Sequence, residues 1–322
     1  MRNKIVLVIM QLKGISRKTI FKSFTLEQDM ECSIENIAKV LNRASTENRK
    51  INNFSESDIQ KAIENADNII KNCEKNEIKI VTFLDNNYPQ KLKTISDPPT
   101  ILYYKGDINY LNKLNSVAII GTREPTEYGM KIAKNLGSSF GKRDYVVISG
   151  LAIGCDSGGH EGCLDEHGKT VAVMAGGLDK IYPAKNKPLA QRILDNGGCL
   201  ISEYPPFTNI FKNYFIERDR LQSGLSDGVF VVETGEKGGT LHTVQYAIDY
   251  NRTLACYNHP SKYLNEEKTF GNQKLIREGK AMAVGNNDEL NNFRSKIEKR
   301  KTEVKKAEVK ATQSTIFDFM TN

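Results

Sequence analysis

The sequence predicts an α/β protein: a doubly wound, mostly parallel sheet, preceded by a small N-terminal helical domain and followed by a basic, flexible C-terminal tail. Three observations carry this expectation. From about residue 115 onward, short apolar runs alternate with stretches of helical length. Those runs are apolar at consecutive positions, as strands covered on both faces must be. The first hundred residues instead place apolar side chains at helical spacing.

Taken in order, Ile34, Ile37, Val40 and Leu41, and then Ile59, Ile63, Ala66 and Ile69, mark two amphipathic helices. Before them, Leu12-Lys13-Gly14-Ile15-Ser16 followed by Ile20 and Phe21 reads as a helix, a glycine turn and a second helix. That pattern suits a helix-hairpin-helix or sterile-alpha-motif module, and equally a plain packing module. Residues 1–75 form this predicted helical domain. Residues 76–110 are a lead-in, with strands at Ile80 to Phe83 and Ile101 to Gly106 and turns at Tyr88-Pro89 and Asp97-Pro98-Pro99. The main domain extends to residue 290. Its strands are expected at Val117 to Ile120, Tyr145 to Ile148, Thr170 to Met174, Cys199 to Ile201, Val229 to Val232 and Leu254 to Tyr257. The helices between them begin near Thr126, Asp156, Lys187, Arg218 and Thr240. Residues 291–322 are read as a basic linker and a C-terminal peptide.

Composition narrows the class. A chain of 322 residues with 39% hydrophobic and 26% charged residues can bury a substantial core. The apolar run Ile5 to Met10 meets Gln11 and Lys13 too soon for a secretory signal or a membrane span, so a cytoplasmic protein without a membrane partner is expected. Six cysteines occur without a C-x-x-C pair, and no histidine cluster has metal-ligand spacing. Neither a metal site nor a disulfide framework is expected. The net charge of +7 is concentrated: Arg294 to Lys310 holds eight basic residues against three acidic, an excess of five. Any anion site in the folded part must therefore be a local cluster.

Glycine-rich turns follow almost every predicted strand: Gly121-Thr122-Arg123, Gly150 to Gly154, Gly176-Gly177, and Gly235 to Gly239 with Thr240. At the carboxyl ends of parallel strands such turns offer backbone N–H groups to phosphates. Each alone is as well explained by turn geometry, whereas several on one sheet edge favour anion binding. Neither G-x-G-x-x-G nor G-x-x-x-x-G-K-[ST] occurs, so no dinucleotide or P-loop cofactor is expected.

The ordered motifs go further. Ser116-Val117-Ala118-Ile119-Ile120-Gly121-Thr122-Arg123 is followed by Ser149-Gly150-Leu151-Ala152-Ile153-Gly154-Cys155-Asp156 with His160. Then come Gly176-Gly177-Leu178-Asp179, Tyr182-Pro183, Asn186, Ile201-Ser202-Glu203-Tyr204-Pro205, Phe215 to Arg220, Gly224-Leu225-Ser226, and Gly271-Asn272 with Leu275-Ile276. Over about residues 78 to 285 this series resembles the DNA-processing protein A (DprA/Smf) family. The resemblance implies a Rossmann-like domain, a homodimer, and binding of single-stranded DNA that is protected and passed to a RecA-type recombinase in natural transformation, without enzymatic activity or a cofactor. The glycine turns and the local basic cluster with one aromatic place the expected DNA or phosphate contacts at Gly121, Arg123, Gly150, Gly154, Lys212, Phe215, Arg218 and Arg220, the last two also through the family motif, with Lys185 a weaker candidate. Phe215 suits core packing as well as base stacking, and Arg218 and Arg220 could instead pair with Glu203 or Glu217. Asp156 and His160 are read as structural, the first as a helix N-cap and the second bonding a strand end.

The chain also departs from the family pattern. The usual F-P-x-R-N-R is Phe215-Ile216-Glu217-Arg218-Asp219-Arg220, S-G-S-L-x-T is Gly238-Gly239-Thr240-Leu241-His242-Thr243, and V-P-G is Asn258-His259-Pro260. These changes leave room for a sensor of a nucleotide-derived ligand. They also leave room for an enzyme like the nucleotide phosphoribohydrolases, although Thr243 and Val244 stand where that motif has its glutamate. Finally, Gln313, Ile316, Phe317 and Phe319 end the basic tail in a pattern similar to the sliding-clamp binding peptide; packing onto the main domain or a dimer interface is the alternative.

Overall fold

A computed structural model describes residues 2–24, 31–47 and 54–299. Four helices come first: α1 (Arg2–Gln11), α2 (Arg17–Ser23), α3 (Ile34–Glu47) and α4 (Glu56–Lys75). Gly14, at φ +91°, makes the turn between the first two. Ser55 and Asp58 close a reciprocal capping box at the start of α4, satisfying donors that a helix N-terminus leaves open. Strand β1 (Lys79–Thr82), helix α5 (Gln90–Lys93) and strand β2 (Ile101–Gly106) lead into the main domain.

There the strands are β3 (Ser116–Ile120), β4 (Val146–Ser149), β5 (Thr170–Met174), β6 (Cys199–Ser202), β7 (Gly228–Val231), β8 (Thr253–Tyr257) and β9 (Met282–Val284). The helices are α6 (Glu127–Gly141), α7 (Cys155–Asp165), α8 (Lys187–Asp195), α9 (Lys212–Leu225), α10 (Thr240–Asp249), α11 (Phe270–Arg277) and α12 over 287–299. All nine strands form one sheet in the order β1-β2-β6-β5-β4-β3-β7-β8-β9. It is parallel from β6 to β9, while β1 and β2 add an antiparallel edge. The α/β class and the mostly parallel sheet are as the sequence predicts. Alternation explains the apolar runs: in β3, Val117 and Ile119 enter one core and Ala118 and Ile120 the other, on the opposite face. The central strand β3 therefore contributes to the packing on both faces of the sheet.

Helix α7 shows why glycine is repeated in a buried helix of low intrinsic propensity. A Cβ at Gly162 would lie 1.9 Å from the Lys134 carbonyl oxygen, and one at Gly137 would lie 2.2 Å from the Gly159 oxygen. The backbones of α6 and α7 touch there, and tertiary packing outweighs the cost of about 1 kcal/mol per helical glycine.

Two expectations are corrected by the fold. The segment from 291 is not linker from its first residue. Helix α12 continues to 299, with Leu290, Phe293 and Ile297 buried beside Phe140 and Phe230 in the core. Arg294, counted above among the tail's charges, is buried there too, and its guanidinium donates to Ser139 Oγ at 2.6 Å and packs over the Phe140 ring. The second concerns α9, which starts at Lys212 rather than near Arg218. The proposed peptide residues Gln313, Ile316, Phe317 and Phe319 lie outside the described residues.

Candidate nucleic-acid interface

In the doubly wound part of the sheet, β3 connects to β4 on one side, while the chain later returns from β6 to place β7 on its other side. Ligand crevices open outside the carboxyl ends of strands at such a reversal. A cavity of about 460 Å³ lies there, lined from β3 by Ile120 to Arg123, from the β7–α10 connection by Thr234, Gly235 and Lys237 to Thr240, and from α9 by Phe215, Ile216, Arg218, Asp219 and Gln222. Ala152, Asp156, His242 and Thr243 complete it.

Close packing shapes the Gly121 turn. A Cβ at Gly121 would come 2.5 Å from Cys155 Sγ and 2.9 Å from the Glu233 carbonyl oxygen. Thr122 N–H donates to that same Glu233 oxygen at 2.8 Å, tying the ends of β3 and β7 together. Arg123 then emerges exposed, its guanidinium 5.3 Å from the centre of the Phe215 ring. It forms no ion pair among the described residues, so its charge remains available at the cavity mouth. The buried Glu233 carboxylate accepts from Thr126 N–H and Oγ1–H at 2.8 and 2.6 Å. Burial opposes its ionisation, but these bonds and the His259 ring at 3.6 Å outweigh burial and hold the carboxyl below its ordinary range.

The floor is a charged lattice. Arg218 donates through Nη1 to the carbonyl oxygens of Gly150 (2.7 Å) and Val173 (2.9 Å), and through Nε to Asp219 Oδ1 (3.1 Å). Gln222 Nε2 reaches the same Asp219 oxygen at 3.0 Å. Burial pushes the Asp219 carboxyl up to about 6 against the pull of Arg218, and burial likewise raises Asp156. Asp156 does not cap α7, whose N-cap is Gly154. Its carboxylate instead accepts from the N–H groups of Gly150 and Ala152, closing the β4–α7 turn. His160 is fully buried, with Nδ1 2.7 Å from Thr170 Oγ1 at the start of β5, and burial holds it down to about 3. Both groups are committed to structure.

Two helix N-termini border the cavity. Helix α10 has Gly239 as its N-cap, without a side-chain cap bond, and Gly238 and Gly239 have open space where a Cβ would stand. Helix α9 begins with exposed Lys212 and has no acidic residue in its first turn. A cation there opposes the helix dipole, and the arrangement raises the positive potential felt by an incoming anion.

The sequence-predicted residues therefore divide. Gly121, Arg123, Phe215 and Arg218 line the cavity; Lys212 stands one turn before Phe215 on α9. Gly150 and Gly154 do not face the cavity. A Cβ at Gly150 would fall 1.7 Å from Arg218 Nη1, and Gly154, at φ +86°, lets the Thr122 and Arg123 carbonyls approach within 2.6 Å of its absent Cβ. Gly150 makes room for the Arg218 guanidinium and Gly154 for the Thr122–Arg123 backbone. Arg220 is also displaced. It is buried against Glu203 and donates to the Asp97 carbonyl at 2.8 Å, in a cluster that Arg17 joins. The reason is helical geometry: at about 100° per residue, positions 218 and 220 point to opposite sides of α9. Lys185 is exposed but does not line the cavity. Sequence reasoning missed Asp219, Gln222, Lys237 and His242. The spacing 215, 218, 219, 222 marks one helix face and would have found the first two once α9 was started at Lys212.

A model of the family DNA recombination-mediator protein A matches residues 79–295. The chain is 39% identical to DNA processing protein DprA of Bacillus subtilis over 177 residues, 55% of this chain and 59% of that relative. It is 32% identical to protein Smf of Synechocystis over 75% of this chain and 62% of that relative. The chain thus spans less than two thirds of either. Among solved structures, it is similar to Streptococcus pneumoniae DprA (TM-score 0.70, 28% identity, covering 88% of this chain and 95% of that one). It is also similar to Helicobacter pylori DNA processing protein A, described by its single-stranded DNA binding mode (TM-score 0.61, 30% identity, covering 69% and 97%).

Proposed function

Because this chain belongs to the DNA recombination-mediator protein A family, we propose that it binds single-stranded DNA at the switch-point cavity, protects it, and passes it to a RecA-type recombinase. The observation that carries this reading is Arg123, unpaired over the Phe215 ring at the mouth of a cavity bordered by two helix N-termini. A guanidinium forks onto phosphate while an aromatic ring stacks a base, which together hold a strand without reading its sequence. Arg218 is ion-paired with Asp219, leaving Arg123, Lys212 and Lys237 as the cations for the backbone.

The relatives support a binding protein, and we read this chain as one that performs no chemistry on the strand. Asp156 and His160 are spent on the fold, and buried Thr243 with Val244 takes the place of a hydrolase glutamate. A gel shift with oligo-dT tests the proposal. Retention should weaken for Arg123→Ala and for Lys212→Ala; retention equal to that of the unsubstituted chain in both variants would remove it. The size of the cavity also suits one nucleotide, and a thermal-shift screen of nucleotides beside oligo-dT separates a small-ligand sensor from a strand binder. Base release from nucleoside monophosphates would instead point to the hydrolase reading.

The remaining partners are part of the same reading. We take the chain to act in the cytoplasm as a homodimer; among the described residues no helix is long and apolar enough to cross a membrane. The peptide with Gln313, Ile316, Phe317 and Phe319 is proposed to engage the sliding clamp. Fluorescence polarisation of a labelled peptide from Ala311 to Asn322 should show saturable binding that Gln313→Ala with Phe317→Ala abolishes.

A further inference from the structure

The connection from β6 to α9 holds side chains that the cavity does not use. Phe207 is 62% exposed and Phe211 57%, with Ile210 exposed nearby. Phe207 has φ +66°, a backbone conformation that a residue with a Cβ rarely adopts. The loop is nevertheless fixed: Phe207 N–H donates to Asp179 Oδ1 at 2.7 Å, Thr208 Oγ1–H to the Pro205 carbonyl at 2.7 Å, and Ile210 packs over Gly176. A strained backbone held by its surroundings to keep a large ring in water is a mark of use.

Two groups of rings lie along the same helix and loop, one of them at the cavity. Phe211 stands edge-on to Tyr214 at 5.4 Å, and Tyr214 stacks on Tyr204 at 4.0 Å. Phe211 lies one turn before Phe215, which meets the half-exposed Tyr182 at 5.7 Å and carries Arg123 on its other contact. The more exposed charges on the flanking segments, Lys180, Lys185, Lys187 and Lys212, are positive, while the less exposed carboxylates there, Asp179 and Glu217, accept from Phe207 N–H and the Tyr204 hydroxyl. Exposed rings on segments that also carry exposed lysines suit nucleobases hung on a phosphate chain, and they match the occupant already proposed for the adjoining cavity.

We propose that Phe207 and Phe211 form an outer stacking platform for bases of single-stranded nucleic acid whose backbone enters the cavity. This rests on the strand-binding reading above. The platform extends the footprint along α9 and the β6–α9 loop, and it is indifferent to sequence because every base has a π-face.

The test compares the full chain with a Phe207→Gly/Phe211→Ala variant in fluorescence anisotropy. Glycine at φ +66° carries no Cβ strain, so the substitutions leave the fold intact, checked by an unchanged thermal midpoint. Two 20-nucleotide probes are used: oligo-dT and a strand of the same length made entirely of abasic sites. The expected result is binding of oligo-dT weakened by about tenfold for each of the two rings that stacks a base, with the abasic strand bound as before. A Phe207→Trp/Phe211→Trp variant should restore oligo-dT affinity. Unchanged affinity for oligo-dT, or equal losses on both probes, overturns the platform. If the unsubstituted chain retains neither probe, it is the strand-binding reading itself that fails, and the platform with it.

Discussion

Replacing Gly150 with alanine should destabilise the protein by about 3–5 kcal/mol, although the position is a loop glycine and its φ is unexceptional. The added Cβ would stand 1.7 Å from Arg218 Nη1. A clash with the tip of a long side chain is normally relieved by a small swing. Here the tip is buried and fixed by bonds to the Gly150 and Val173 carbonyls, while Nε holds Asp219. Swinging it away strands two carbonyl oxygens and weakens a buried ion pair. Unsatisfied buried groups cost about 1–3 kcal/mol each, and hydrogen bonds to charged donors contribute toward the top of that range. The assay is urea denaturation followed by circular dichroism, performed as a double-mutant cycle with Arg218→Ala. Once the guanidinium is absent, Gly150→Ala should cost less than about 1 kcal/mol, giving a coupling of several kcal/mol. Additive effects, or a small loss in the single variant, would refute the role assigned to Gly150.

Other consequences follow from the same contacts. Gly162→Ala drives a Cβ to within 1.9 Å of the Lys134 carbonyl, which is backbone and cannot swing aside; a loss of about 3 kcal/mol or more is expected in the same denaturation assay. For Asp219, the folded-state pKa of about 6 lies above the unfolded value of about 3.9, so the native state binds the extra proton between those limits. The resulting penalty is full above pH 6 and fades as pH falls toward 4. Asp219→Asn, which keeps an acceptor for Arg218 and Gln222, should therefore be more stable at pH 7 by up to about 3 kcal/mol, with the gain disappearing by about pH 4. The same variant removes a negative charge from the cavity floor, so oligo-dT should bind several-fold more tightly at pH 7. An unaltered difference in stability from pH 7 to pH 4 would contradict the assignment.

Much of the fold could be read from residues alone because strands buried on both faces cannot hide. Val117 to Ile120 and Thr170 to Met174 had no other plausible reading, and the glycine after each located the sheet edge. The site was less accessible, for reasons that can be named. Arg218 and Arg220 sit in one motif, but a helix turns them to opposite sides, and the motif carries no mark of where that helix begins. Gly150 and Gly154 resemble phosphate-binding turns because the need for close backbone approach is the same whether the neighbour is a ligand or an arginine. Helix α12 was masked by the charges around it, although Leu290, Phe293 and Ile297 keep the spacing of a buried face. The positive φ of Phe207 has no sequence signature, since phenylalanine is not a residue that announces such a turn.

In the proposed complex the strand lies against Arg123 and Phe215 at the carboxyl end of β3. Photocrosslinking with an oligo-dT carrying 5-iodouracil, followed by mass spectrometry of the linked peptides, tests it directly. Crosslinks should map to Phe215 and to the segments 121–123 and 234–240, and Arg123→Ala should diminish them. Crosslinks confined to the helices α1 to α4, or centred on the buried Arg220 cluster, would contradict it.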